Sequence, residues 1–155
     1  DPRDDLNGLD VARKLIVLAR TAGFPVGLEN IKVQPFIPGE FFKDESVASF
    51  MDSTQNLNNY FREKIAKAKE QGNVLRYIAH LDANTEVPTL TASMHEVPQN
   101  SLFGSLTGRS NKIVIVSEHY SQEKPYSVEA PGSGPEVTAQ NIRRDLLDLL
   151  RDREF

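Results

Sequence analysis

The chain contains no cysteine among its 155 residues. Disulfides, thiolate nucleophiles and cysteine-based zinc sites are therefore excluded, and cysteine usage gives no reading of redox compartment. No apolar run approaches the roughly 18 to 20 residues of a membrane span, and the charged opening segment cannot serve as a signal peptide. Positive charge is not in excess either: 18 Lys and Arg stand against 22 Asp and Glu, for a net charge of −4, and the cations are scattered. Without a basic stripe there is no electrostatic footprint for nucleic acid or an anionic membrane, and neither is expected as a partner. Internal repeats and a long Pro/Gly/Ser-rich linker are also missing, as is an initiator methionine.

What is present has the make-up of a globular protein, with 39% hydrophobic and 26% charged residues. A chain of this length fits one domain that buries roughly two-thirds of the surface its unfolded form exposes, so a single core is expected. A start without methionine, inside an acidic cluster, leads us to expect a cytoplasmic segment of a longer polypeptide.

From Leu6 to Ala22, apolar residues recur at spacings of three and four, as Leu9, Ala12, Ile16, Ala19 and as Val11, Leu15, Leu18, Ala22. This predicts a helix with a wide buried face, capped by Asp5 or Asn7 and ended by Gly23 and Pro25. NIKVQPFI is β-like but interrupted by Pro35, which suits a short or edge strand. Ser46 to Asp52 reads as a short helix and Thr54 to Gln71 as a longer one, with Leu57, Tyr60, Phe61, Ile65 and Ala68 as its core stripe. VLRYIAHLD and VPTLTASMHEV are strand candidates at hairpin spacing, Pro88 and Pro98 placing the second near an edge or bulge. KIVIVSEHY and YSVEA are further strands, and Thr138 to Leu150 is a terminal helix. This order predicts an α+β fold, a β-sheet with helices packed on one side.

Two constellations could carry chemistry. The first is the opening DPRDDLNGLDVARK, with four Asp, two Arg and one Lys in fourteen residues. Asp10 and Lys14, one helical turn apart, share a face and can touch. An ordinary surface ion pair, and carboxylates complementing a helix macrodipole, would give the same pattern. Read functionally, carboxylates hold a substrate ammonium, Lys14 exchanges a proton with a reacting oxygen, and Asp10 fixes the lysine head. The second is PGSGPEVT before the last helix, where glycines let a ligand approach the backbone and free N–H groups attract anions. Pro135 breaks any dinucleotide fingerprint there, and a loop capped by Thr138 or a neighbour explains the segment without a ligand. His80, His95 and His119 sit on different predicted strands with no metal-ligand spacing, so no metal site is expected.

DPRDDLNGLDVARK resembles, nearly residue for residue, the homoserine dehydrogenase signature E-P-D-P-R-D-D-L-x-G-x-D-V-A-R-K. GNVLRYIAHLD, SLFGSLTGRSN and GSGPEVTA follow in that family's order and at about its intervals, while positions 23 to 71 match loosely. The bifunctional aspartokinase–homoserine dehydrogenase branch is the nearest in character. The resemblance implies interconversion of L-homoserine and L-aspartate 4-semialdehyde with NAD or NADP, in threonine, methionine and isoleucine biosynthesis. It implies that Lys14 is the proton-transfer lysine, that Asp10 partners it as a catalytic and substrate-binding carboxylate, and that Asp5 lines the substrate site. Gly132, Ser133 and Gly134 fall in the Gly-rich segment that lies near the cofactor. Ala130 replaces that segment's usual first Gly, and Gln140-Asn141 replace a usual Ala-Gly.

By the same resemblance the chain is the substrate-binding and dimerisation domain, residues 1–155, with a mixed sheet and without its N-terminal Rossmann domain. Residues 130–155 would return to that nucleotide-binding domain. A family Glu two residues before Asp1, a second lysine and a monovalent-cation site would be missing with it. The expectations are a homodimer or higher homo-oligomer, a fragment inactive alone, and a last helix whose Leu146, Leu149 and Leu150 lack a covering surface. A non-catalytic amino-acid-binding or assembly module on the same scaffold is the alternative.

Overall fold

The computed structural model describes residues 1–43, 46–85, 87–132 and 134–151. The chain divides into two compact units, Asp1–Gly104 and Ser105–Phe155.

In the first unit the opening helical pattern is broken in two: α1 is Arg3–Leu6 and α2 is Leu9–Thr21. Gly8 separates them with φ +80°, a left-handed conformation that a continuous right-handed helix cannot contain. The side chain of Asn7 accepts the Leu9 N–H at 2.8 Å, so Asn7 provides the expected cap from one residue further back. The buried stripe of α2 is narrower than its apolar pattern: Ala12, Leu15, Ile16 and Ala19 are buried, whereas Leu18 is exposed. Gly23 and Phe24 turn the chain back through hydrogen bonds to the last turn of α2.

Strand β1, Ile31–Val33, is short because Pro35 follows it. Helix α3, Val47–Ser53, is capped by the Ser46 side chain, which accepts the Ser49 N–H. Helix α4 is Leu57–Glu70, entered through a short 3-10 turn at Thr54–Asn56. Its core stripe differs from the sequence expectation: Leu57 and Ala68 are buried, but Ile65 is exposed.

Strands β2, Asn73–Asp82, and β3, Thr89–Pro98, form a ten-residue antiparallel ladder from Asn73↔Pro98 to Asp82↔Thr89. At the hairpin end, Asp82 accepts hydrogen bonds from the backbone and side-chain N–H groups of Asn84. The backbone bond foremost holds the Asp82 carboxyl below the usual carboxylate range. β1 joins β3 in parallel, giving a mixed three-stranded sheet of order β1-β3-β2. The expectation that prolines place β3 at an edge or bulge is corrected. β3 is the central strand, and its prolines sit at or just beyond its ends, where they remove no interior ladder bond.

Strand alternation puts Ile31, Leu90 and Ala92 on one sheet face, where they bury against α2 with Val33, Tyr77, Ala79 and Leu81 around them. A second cluster of Ile37, Phe50 and Leu57 draws in Leu6 from α1 and a set of aromatic rings. Phe36 stacks on Phe61 at 5.4 Å, and Phe61 meets Tyr60 edge-on at 5.1 Å.

The second unit is an antiparallel pair, β4 at Ser110–Ile115 and β5 at Tyr126–Pro131, followed by α5 at Pro135–Arg151. The helix starts three residues before its expected first position, because proline's fixed φ and missing N–H suit the first helical turn. Thr138 accordingly lies inside the helix, its hydroxyl donating to the Gly134 carbonyl at 3.1 Å, and is not the cap. On α5, Ile142, Leu146, Leu149 and Leu150 are each more than half exposed.

Candidate functional site

The acidic opening resolves into groups with different tasks. Asp1 grips Arg3, accepting from Nε on both carboxylate oxygens at 3.0 Å and from Nη2 at 2.6 Å. The Arg3 guanidinium also lies 5.6 Å over the ring of Phe50, which is fully buried. One cation and one carboxylate of the cluster thus anchor α1 to the aromatic core. Asp4 and Asp5 on α1 remain exposed to solvent, as acids without an anchoring task.

On α2, Lys14 Nζ sits 2.7 Å from Asp10 Oδ2 across one helical turn. This is the pairing that helical geometry required. The two side chains are 59% and 51% exposed, so the ion pair itself contributes only about 0.3 to 0.5 kcal/mol to stability. In this the pair has the geometry of an ordinary surface ion pair of a helix. It lies on an open helix face. Two cavities of this unit, one of about 290 Å³ between α4 and β2 and a shallower one of about 520 Å³ around residues 20–29, are lined by other residues. Asp5 stands on α1 and Asp10 and Lys14 on α2, so the Asn7-Gly8 joint sets how the first faces the other two.

That joint is seated on the sheet. Gly8 is buried against Tyr77, and a Cβ there would overlap the Tyr77 hydroxyl and lie 3.0 Å from Val33 Cγ1. The Tyr77 hydroxyl donates to the Gln34 carbonyl at 2.6 Å. Burial pushes the Tyr77 phenol above its ordinary value. Phe36 N–H donates to the Leu6 carbonyl at 2.9 Å, tying the segment after β1 to the end of α1. Sequence reading missed Tyr77 altogether, but the Asn7-Gly8 dipeptide was a turn signal inside the helical pattern.

The Gly-rich segment belongs to the second unit. Gly132 N–H donates to the Arg109 carbonyl at 3.0 Å, and a Cβ on Gly132 would overlap the Asn111 side chain. Its glycine is thus accounted for by packing inside the unit. Gly134, at φ +133°, faces open space, as do Gly23, Gly39, Gly72 and Gly108. Ser133 lies outside the described residues. His95 Nε2 is 2.9 Å from Ser93 Oγ on β3, with its partner on its own strand.

A profile of the family described as homoserine dehydrogenase matches residues 1–147. The bifunctional aspartokinase/homoserine dehydrogenase of Buchnera aphidicola is 34% identical over 150 residues, covering 97% of this chain and 18% of that protein. The homoserine dehydrogenase of Paracoccidioides brasiliensis is 32% identical over 151 residues, covering 97% of this chain and 40% of that one. The chain therefore spans less than half the length of these relatives. A crystal structure of a homoserine dehydrogenase from Thiobacillus denitrificans shares the fold, with a TM-score of 0.71 at 22% identity, over 97% of this chain and 30% of that one.

Proposed function

The chain belongs to the homoserine dehydrogenase family, and from that premise we propose that it supplies the substrate side of an NAD(P)-dependent oxidoreductase interconverting L-homoserine and L-aspartate 4-semialdehyde. The observation that carries the reading is the 2.7 Å contact of Lys14 with Asp10 on an open helix face, within the segment that carries the family signature. A zwitterionic amino acid with a terminal hydroxyl needs a carboxylate for its ammonium and a proton carrier at its far oxygen. Asp5 takes the first role. Lys14 takes the second, holding a proton at Nζ and giving it to the aldehyde oxygen on reduction or receiving the hydroxyl proton on oxidation. Asp10 binds substrate and accepts the lysine head over the first turn of α2.

NAD or NADP supplies or accepts the hydride when bound. Within Gly132, Ser133 and Gly134, the open surroundings of Gly134 fit an approaching cofactor, whereas the packing of Asn111 against Gly132 leaves no such room. Most of the cofactor's contacts then belong to a nucleotide-binding portion, and the chain by itself is inactive. The enzyme serves threonine, methionine and isoleucine biosynthesis in the cytoplasm and acts as a homodimer or higher homo-oligomer. Among the described residues no helix is long and apolar enough to cross a membrane.

The test is Lys14→Ala in the enzyme carrying its nucleotide-binding portion. Turnover should fall by roughly 10²- to 10⁴-fold, the usual loss for a general acid or base. Unfolding stability should move by no more than about 0.5 kcal/mol, because the pair is exposed. Near-normal turnover in a folded variant would remove Lys14 from the mechanism. Homoserine binding without turnover, in an enzyme able to bind NAD(P), would instead support an amino-acid-binding module.

A further inference from the structure

We propose that Tyr77 is a positioning residue for this site: by seating the Asn7-Gly8 joint on the sheet, it fixes the ammonium-binding carboxylate of Asp5 relative to the Asp10–Lys14 pair. The inference rests on the reading just given, in which Asp5 and Lys14 serve opposite ends of one substrate.

The pair itself needs no help from the sheet, because Asp10 and Lys14 are on one helix and meet through its own geometry. Asp5 is on a different helix. Only Asn7 and Gly8 separate α1 from α2, and Gly8 takes a left-handed conformation open to few residues, so backbone rotation at these two residues sets the angle between the helices. Three contacts limit that rotation. Asn7 Oδ1 caps Leu9 from within the joint. Phe36 N–H holds the Leu6 carbonyl. The Tyr77 hydroxyl fills the space directly under Gly8, where even a methyl group would collide with it. The hydroxyl is itself fixed by its 2.6 Å bond to the Gln34 carbonyl, so the joint rests on the frame of the sheet and not on a free side chain. A phenylalanine would keep the ring but lose both the bond and the oxygen beneath Gly8.

The experiment measures Tyr77→Phe in the enzyme carrying its nucleotide-binding portion, with two probes. One is the KM of homoserine. The other is the inhibition constant of 4-hydroxybutanoate, which keeps the hydroxyl and the carboxylate but lacks the ammonium. If Tyr77 sets Asp5 against Lys14, KM for homoserine rises about fivefold, the equivalent of one lost hydrogen bond, while the inhibition constant stays within about twofold. Asn7→Ala loosens the same joint without touching the sheet and should give the same selective rise; it serves alone if Tyr77→Phe does not fold. A general packing role would move both constants together or neither, and either outcome overturns the proposal. Lys14→Ala assayed in parallel keeps the two levels apart. Full turnover there removes the underlying reading, whereas lost turnover with no selective effect at Tyr77 or Asn7 removes only this inference.

Discussion

Gly8→Ala is the substitution for which the structure gives the sharpest expectation. Gly8 has φ +80°, where an L-residue with a Cβ costs about 1 to 2 kcal/mol. The new methyl would also overlap the Tyr77 hydroxyl and press on Val33 Cγ1 and Tyr77 Cζ at 3.0 and 3.1 Å. Such overpacking costs about 1 to 3 kcal/mol, because the hydroxyl is held by Gln34 and the ring by the sheet. The expected destabilisation is the sum of the two, about 2 to 5 kcal/mol, read as the loss in unfolding free energy from urea denaturation followed by circular dichroism. The two contributions are separable. Tyr77→Phe removes the overlapping oxygen and leaves the backbone strain, so the double variant should be at least about 1 kcal/mol more stable than the sum of the single losses implies. A loss below about 0.5 kcal/mol for Gly8→Ala, or strict additivity in the cycle, would refute the claim that α2 starts from a left-handed joint seated on Tyr77.

Two further expectations concern stability. Phe50 is fully buried beneath the Arg3 guanidinium, so Phe50→Ala should cost about 3 to 5 kcal/mol by urea denaturation, and Phe50→Leu considerably less. The raised phenol of Tyr77 gives an alkaline signature. Above its ordinary value of 10.0 the unfolded chain releases a proton that the folded chain keeps, so stability is intact below about pH 10 and falls as pH rises through the folded value. Tyr77→Phe should flatten that fall in unfolding curves recorded between pH 8 and 11, and an unchanged slope would contradict burial of the hydroxyl.

Much of the fold was legible because it is local. The order of helices and strands, the β2–β3 hairpin and the contact between Asp10 and Lys14 all follow from backbone periodicity and a few punctuating residues, as does the brevity of β1 before Pro35. Periodicity marks which residues could be buried, not which of them meet a partner. Leu18 and Ile65 fit their helical stripes and are nevertheless exposed, Ile65 as part of the lining of the cavity between α4 and β2. Pro88 and Pro98 read as edge signals, yet β3 is central, since the parallel arrival of β1 cannot be inferred from either proline.

By itself, then, the sequence determined the α+β class, the family signature in DPRDDLNGLDVARK and the lysine–carboxylate pair, because each is written within a turn or two of helix or a single motif. Only the tertiary structure decided that the opening helix breaks at Gly8, that Tyr77 lies beneath the break and bonds Gln34 from 43 residues away, and that Asn111 fills the space beside Gly132. These depend on contacts between segments distant in the chain, whose closure is set by packing of the whole sheet and leaves no periodic trace in any short stretch of residues.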